Sequence, residues 1–134
     1  MSIDLHRLRA KDVMNKDVQW VDASENLRVA GSRMVAEGIR ALLVAGPEAS
    51  DLPGIVTSKD IVNLLGSQDP AVLGELQVRD VMTRPAICVP SATNLIDCIN
   101  LMRMSGIRRV PVLDGTRVIG VLSTSDIIRH ALSG

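Results

Sequence analysis

Two short stretches place hydroxyl and carboxylate side chains at the same spacing, Thr57-Ser58-Lys59-Asp60 and Ser123-Thr124-Ser125-Asp126. Each stretch lies where an apolar run passes into a helical pattern, so it is expected at a helix N-terminus. Free amides and the positive dipole end favour phosphate there, and the hydroxyl could donate to it. The Asp could accept hydrogen bonds from ribose hydroxyls. The same spacing is also typical of a capping box, so on spacing alone both interpretations stay open.

The two stretches belong to an internal repeat, which must be recognised before the fold is interpreted. Asp12-Val13-Met14 recurs as Asp80-Val81-Met82, an offset of 68 residues. Near the end of each copy, Gly54 to Ile61 lies over Gly120 to Ile127 at an offset of 66. The slip of two residues falls between paired apolar runs, where a loop tolerates it. Two copies therefore cover almost the whole chain.

Each copy has the pattern of a strand, a helix, two strands and a second helix. The first copy is predicted to have strands at 18–21, 41–45 and 54–56 and helices at 26–37 and 59–65. The second is predicted to have strands at 86–89, 109–113 and 118–122 and helices at 94–105 and 125–132. Gly38 and Gly106 are predicted to end the first helix of each copy in the left-handed conformation. Asp114-Gly115 predicts a tight hairpin turn.

These elements predict a mixed α/β (α+β) fold of two βαββα motifs, packed sheet-to-sheet with pseudo-twofold symmetry. The first motif is assigned to residues 8–66, a linker to 67–77 and the second motif to 78–134, together forming one compact domain. Val72, Leu73 and Leu76 suggest a helical turn within the linker. A pseudo-twofold axis leaves two clefts where the copies meet, and small ligands usually bind at interfaces of this kind.

Composition excludes several classes of function. Fifteen basic and fifteen acidic residues cancel, which argues against nucleic acid or an anionic membrane as a partner. Without a signal-peptide pattern or a long apolar run, the chain is expected to be cytoplasmic. Cys88 and Cys98 match no zinc or redox spacing. His6 and His130 do not recur between the copies, and no nucleophile elbow or P-loop is present, so no catalytic residue and no metal site is predicted.

The chain resembles the CBS family, named for cystathionine β-synthase, over roughly residues 8–132. Three motifs carry the resemblance: Asp-Val-Met at the start of each copy, Gly106 to Asp114, and Gly-apolar-x-Thr/Ser-x-x-Asp at 54–60 and 120–126. The resemblance implies a stand-alone tandem CBS pair (a Bateman-type module) that is not an enzyme. Such a module would bind an adenosine-type nucleotide between its motifs and signal to a separate partner protein.

The resemblance also implies two binding sites, each combining the Asp-bearing motif of one copy with the initial strand of the other. The favoured site comprises Ile55, Thr57, Asp60, Thr83, Ala86, Ile87, Arg108 and Arg109. The second site comprises Val18, Arg40, Val121, Ser123 and Asp126. Trp20 aligns with Cys88, and its indole would either belong to the core, block the second cleft or stack on a base. Leu43 replaces the proline that appears as Pro111, so the cleft containing Asp60 is favoured.

The expected ligand is AMP, ADP or ATP, with S-adenosylmethionine and NAD as further options, and the arginines favour a phosphorylated compound. The alternative is a ligand-free module for dimerisation or protein interaction. A homodimer is expected in either case. Its interface could use the apolar helix positions Leu27, Met34, Met102 and Met104, or these residues could simply fill the core.

Overall fold

A computed structural model describes residues 4–133 and confirms the mixed α/β fold with two βαββα motifs. A 3₁₀ turn at Leu5–Arg7 comes first. The first copy then contains α1 (Ala10–Val13), β1 (Trp20–Val21), α2 (Leu27–Glu37), β2 (Ala41–Val44), β3 (Gly54–Thr57) and α3 (Ser58–Leu65). After 3₁₀ turns at Pro70–Gly74 and Val78–Asp80, the second contains β4 (Val89–Pro90), α4 (Leu95–Ser105), β5 (Arg109–Asp114), β6 (Arg117–Ser123) and α5 (Thr124–Leu132).

The two copies form three-stranded sheets of the same topology, β1-β2-β3 and β4-β5-β6. In each sheet the first strand is parallel to the middle one and the last strand is antiparallel to it. The predicted turn at Asp114-Gly115 joins β5 to β6, with Gly115 at φ 63°. Because α2 and α4 each connect parallel strands, they act as the crossover connection that a parallel pair needs.

The boundaries of α2 and α4 follow from the residues at their ends. The side chains of Asn26 and Asn94 accept hydrogen bonds from the amides two residues later, which caps the N-termini. Gly38 and Gly106 end the helices at φ 65° and 67°, where a residue with a Cβ would be strained. The predicted left-handed caps are confirmed.

The compact units of the structure differ from the sequence repeats. One unit consists of Gln19–Ala86, and the other combines the residues up to Val18 with those from Ile87 onward. The core of the 19–86 unit contains Leu27, Ala30, Met34, Leu42, Val44, Val56, Ile61 and Val78. The core of the other unit contains Ala10, Val13, Val89, Leu95, Cys98, Met102, Val110, Val112, Leu122 and Ile127. The motif boundaries along the chain stay a prediction, because packing divides the chain at other positions.

The opening segment of the first copy is the chain up to residue 18, and that of the second copy is residues 78–86. Each copy therefore contributes its opening segment to the unit built around the other copy. The amides of Val78 and Arg79 donate to the carbonyls of Glu25 and Ala23, at 2.8 and 2.9 Å. In the other unit the Ala10 amide donates to the Thr93 carbonyl at 2.9 Å. Val78 and Ala10 are both fully buried, so the exchanged segments belong to the cores.

The largest differences from the sequence prediction lie in these opening segments. The helix α1 was not predicted, and the first strands begin later than expected, at Trp20 and Val89. A helix of four residues is too short to show a hydrophobic period. The predicted helical turn in the linker is confirmed at Pro70–Gly74, capped by the Asp69 side chain. None of the helices within residues 4–133 is long and apolar enough to cross a membrane.

Candidate functional site

The strand-to-helix junction at Thr57 is organised by a reciprocal pair of side chains. The Thr57 hydroxyl accepts a hydrogen bond from the Asp60 amide at 3.2 Å. The Asp60 carboxylate accepts from the Thr57 amide at 2.8 Å and from the Thr57 hydroxyl at 3.0 Å. Both of these acceptor bonds of Asp60 use one oxygen, Oδ2. This arrangement is a capping box, so the capping interpretation of the first stretch is confirmed.

The junction at Ser123 repeats the same geometry. The Ser123 hydroxyl accepts from the Asp126 amide at 3.1 Å, and Asp126 Oδ2 accepts from the Ser123 amide at 3.1 Å and from its hydroxyl at 2.8 Å. Capping leaves Oδ1 of each aspartate outside the box. A residue that caps its helix through one oxygen can still accept a ligand hydroxyl through the other, so capping and binding are compatible.

The segment after each Asp-Val-Met motif lies against the strand that leads into one of these junctions. Thr83 pairs with Ile55 through two backbone hydrogen bonds of 2.9 Å, and the Ala86 amide donates to the Pro53 carbonyl at 2.8 Å. A Cβ built on Gly54 would lie 3.2 Å from the Thr83 carbonyl oxygen. The glycine of the motif therefore permits the close approach of this segment.

The 19–86 unit thus contains five residues of the favoured site, and the motif with Thr57 and Asp60 directly follows the pairing of Ile55 with Thr83. The other three, Ile87, Arg108 and Arg109, belong to the other unit. For the second site, Val121 pairs with Asn15 through hydrogen bonds of 2.8 and 2.9 Å. Val18, Ser123 and Asp126 share this unit, whereas Arg40 belongs to the 19–86 unit. The assignment of all these residues to a ligand stays a prediction.

The arginine backbones lie beside the junction of their own copy. The Arg40 carbonyl accepts from the Ser58 amide at 2.9 Å, and the Arg108 carbonyl accepts from the Thr124 amide at 2.9 Å. Each carbonyl therefore satisfies one of the free amides of the adjoining helix. Both side chains belong to exposed residues, so their charge is accessible to solvent.

The second junction has one contact that the first lacks. Arg129 Nη1 donates to Asp126 Oδ1 at 2.9 Å. The equivalent residue of α3 is Asn63, and within residues 19–86 no donor contacts Asp60 Oδ1. Arg129 was not among the residues predicted for this site, although acidic and basic residues three positions apart on a helix are expected to pair.

Residues 4–133 contain no group of three or more histidine, cysteine, aspartate or glutamate side chains that could hold a metal ion. Trp20 is 40% exposed and is therefore not a core residue, and its carbonyl accepts from Arg33 Nη1 at 2.6 Å. Burial raises the pKa of the Cys88 thiol and, together with the negative charge of Asp97, that of Cys98. Raised thiol pKa values reduce the thiolate population that reactive cysteines require.

Comparisons with known proteins agree with the repeated architecture. A family model described as CBS domain matches the chain twice, over residues 10–67 and 78–133. Hypoxic response protein 1 of Mycobacterium tuberculosis is 34% identical over 125 residues, which cover 90% of this chain and 83% of that protein.

Two solved structures have similar folds. The hexameric CBS-CP12 protein from bloom-forming cyanobacteria has a TM-score of 0.81 and 28% identity, covering 90% of this chain and 69% of that one. A CBS domain pair crystallised in complex with 5′-methylthioadenosine and S-adenosyl-L-methionine has a TM-score of 0.77 and 25% identity, covering 92% and 94%. The first of these proteins is an oligomer and the second binds adenosine compounds.

Proposed function

The chain belongs to the CBS-domain family as a CBS-pair regulatory module, and we propose that it binds an adenosine nucleotide of the AMP, ADP or ATP class at the Asp60 junction. Occupancy of this site would be signalled to a separate partner protein, without turnover of the nucleotide. The observation that carries the proposal is the Asp60 carboxylate, held in place by its capping box with Oδ1 available to a ribose hydroxyl.

The surroundings of Asp60 supply the other requirements of a nucleotide site. The N-terminus of α3 favours a phosphate group, and Thr57 places a hydroxyl beside it. Ile55 and Thr83 are paired next to the junction and offer backbone and methyl groups for contact with a base. Arg108 or Arg109 would add charge for the phosphates. The similar CBS pair that binds S-adenosyl-L-methionine supports an adenosine ligand.

A regulatory effect then follows from linkage. A ligand that binds one conformation of the module more tightly shifts the population toward that conformation. A partner protein that prefers the same conformation would bind more tightly when the nucleotide is present, and by the same factor it would raise the nucleotide affinity.

Calorimetric titration with AMP, ADP, ATP, S-adenosylmethionine and NAD tests the proposal, using protein freed of carried-over nucleotide. We expect saturable binding, and Asp60→Ala should weaken the affinity of the site at the Asp60 junction at least tenfold. Asp69→Ala is the matched control, because Asp69 also caps a helical turn, through a 2.8 Å bond to the Ala71 amide, but lies in the linker. Equal loss of affinity in both variants, or binding that depends only on Asp126, would contradict the assignment. Hydrolysis of ATP by the pure protein would contradict a purely regulatory role.

A ligand-free module for self-association is the second candidate, and homodimerisation is compatible with both. The self-association candidate is favoured by apolar side chains that the helices expose. Val35, Met104 and Leu132 are each at least 80% exposed. Leu27, Met34 and Met102 are buried and fill the cores instead. Val35, Met34, Ile61 and Val62 line an apolar groove of about 530 Å³ between α2 and α3. A dimer in sedimentation experiments combined with no binding of any of the five compounds would favour this candidate.

A further inference from the structure

The two capping boxes are alike in every hydrogen bond within the box, yet their aspartates differ in the oxygen that remains. Oδ2 of both Asp60 and Asp126 is occupied by the amide and hydroxyl of the capping residue. Oδ1 is therefore the oxygen left for a ligand hydroxyl. In the second copy Arg129 Nη1 donates to it at 2.9 Å. In the first copy no donor within residues 19–86 reaches Oδ1 of Asp60.

This difference depends on one position of the repeat. Arg129 lies three residues after Asp126 on α5, and the equivalent residue on α3 is Asn63, whose side chain carries no charge. The Asp126 side chain is only 12% exposed, while that of Arg129 is 72% exposed. The exposed guanidinium is therefore bonded to a partly buried carboxylate, and a ligand hydroxyl would have to displace it from Oδ1.

The surroundings of Asp126 otherwise leave space for a small molecule. A pocket of about 310 Å³ adjoins the carboxylate and is lined by Val13, Met14, Asn15, Asp126, Arg129, His130 and Ser133. Asn15 belongs to the segment paired with Val121, as Thr83 belongs to the segment paired with Ile55 beside Asp60. The backbone pairing beside the two aspartates is therefore alike, and the ion pair distinguishes them.

We infer that Arg129 makes the Asp126 site the weaker of two nucleotide sites by competing with the ribose hydroxyl for Asp126 Oδ1. The inference rests on the proposed function, because it assumes that both junctions bind an adenosine compound. Both bonds have an ionised acceptor, but only the guanidinium also carries the opposite charge, so a hydroxyl that displaces it loses that Coulomb attraction. Ion pairs at exposed positions contribute little in absolute terms, so the expected difference is about three- to fivefold in affinity.

Exchanging the residues at positions 63 and 129 tests the inference. Asp60→Ala isolates the second site and Asp126→Ala isolates the first, and each protein is titrated with AMP, ADP, ATP, S-adenosylmethionine and NAD. Adding Arg129→Asn to Asp60→Ala should tighten binding about three- to fivefold. Adding Asn63→Arg to Asp126→Ala should weaken binding by a similar factor. Arg103→Asn is the control for loss of one positive charge, since Arg103 is exposed on α4 and its guanidinium donates to Asn100 Oδ1 at 3.2 Å.

The outcomes separate this inference from the proposed function. Absence of binding by the unmodified chain would overturn both. Binding that responds to Asp60→Ala but is unchanged by the two exchanges would overturn only the role of Arg129. Weaker binding in the Arg129→Asn variant would also overturn it, since Arg129 would then act as a ligand contact. A matching effect of Arg103→Asn would assign the change to overall charge. Thermal unfolding of every variant checks that the module remains folded.

Discussion

At the scale of single residues, the hydroxyls of Thr57 and Ser123 each form two hydrogen bonds at once. Each hydroxyl accepts from a helix amide and donates to the aspartate of the same box. These bonds fix the side-chain rotamers before any ligand arrives, which reduces the ordering that binding requires. A hydroxyl whose proton is already donated to the aspartate can donate to a phosphate only by exchanging partners. The aspartate is therefore the better candidate for the main ligand contact.

Replacing the capping hydroxyl should affect stability before it affects binding. We expect Thr57→Ala to lower the free energy of unfolding by about 1 kcal/mol, because the Asp60 amide loses its acceptor. Thr57→Ser keeps the hydroxyl and should stay within about 0.5 kcal/mol of the unmodified chain, as Ser and Thr are comparable caps. Urea unfolding measures both values. An equal loss in the two variants would show that the methyl group of Thr57, rather than its hydroxyl, stabilises the junction.

At the scale of elements, the glycine of each Gly-apolar-x-Thr/Ser-x-x-Asp motif lies where the opening segment of the other copy packs against its strand. A Cβ on Gly120 would lie 2.5 Å from the Met14 sulfur and 3.0 Å from the Asn15 carbonyl oxygen. The corresponding distances at Gly54 are 3.2 Å to both the Met82 sulfur and the Thr83 carbonyl oxygen. A methionine side chain can move, but a backbone carbonyl within a paired segment cannot move without disturbing that pairing.

The two glycines should therefore differ in their tolerance of alanine. We expect Gly120→Ala to lower the free energy of unfolding by about 2 kcal/mol, within the range for overpacking, and Gly54→Ala to lower it by less. Urea unfolding measures the loss, and faster exchange of the Asn15 amide would locate it. Gly31→Ala provides the control, because this glycine lies inside α2 and its added Cβ would meet only Ile61 Cδ1, at ordinary contact distance. That variant should be unchanged or more stable. A larger loss at Gly54 than at Gly120 would contradict this account.

The elements also show how much of the fold can be predicted from the sequence. The helices 27–37 and 95–105 were predicted to within one residue because their caps, Asn26 with Gly38 and Asn94 with Gly106, are explicit local signals. The opening strands were placed too early, since each has only two residues and its pairing depends on a distant strand. The asymmetry between the two aspartates was missed because the repeat was aligned for what its copies share. The asymmetry arises at a position where the copies differ, which is Asn63 in the first and Arg129 in the second.

At the scale of the whole molecule, the exchange of opening segments means that each core contains residues from both repeats. Val78 is fully buried in the core around Leu27 and Leu42, although it belongs to the second repeat. Val13 is 8% exposed in the core around Leu95 and Val110, although it belongs to the first. A repeat taken by itself would therefore lack part of its own core. The family resemblance predicted this pattern at the binding sites, where each site combines segments of both copies.

Native-state hydrogen exchange of the full chain can test whether the cores behave as the packing implies. Amide protection reports local free energies of opening, so a cavity should lower protection most in the unit that contains it. We expect Val78→Ala to reduce protection of residues 41–57 more than that of residues 109–123, with a cost of about 1 to 3 kcal/mol for the removed methyl groups. Val13→Ala should show the opposite pattern, which makes each variant the control for the other.

If Val78→Ala instead lowered protection mainly in residues 109–123, stability would follow the sequence repeats and the exchanged segments would contribute little. The expected result would mean that a ligand contacting Thr83 and Asp60 stabilises a single cooperative unit built from both repeats.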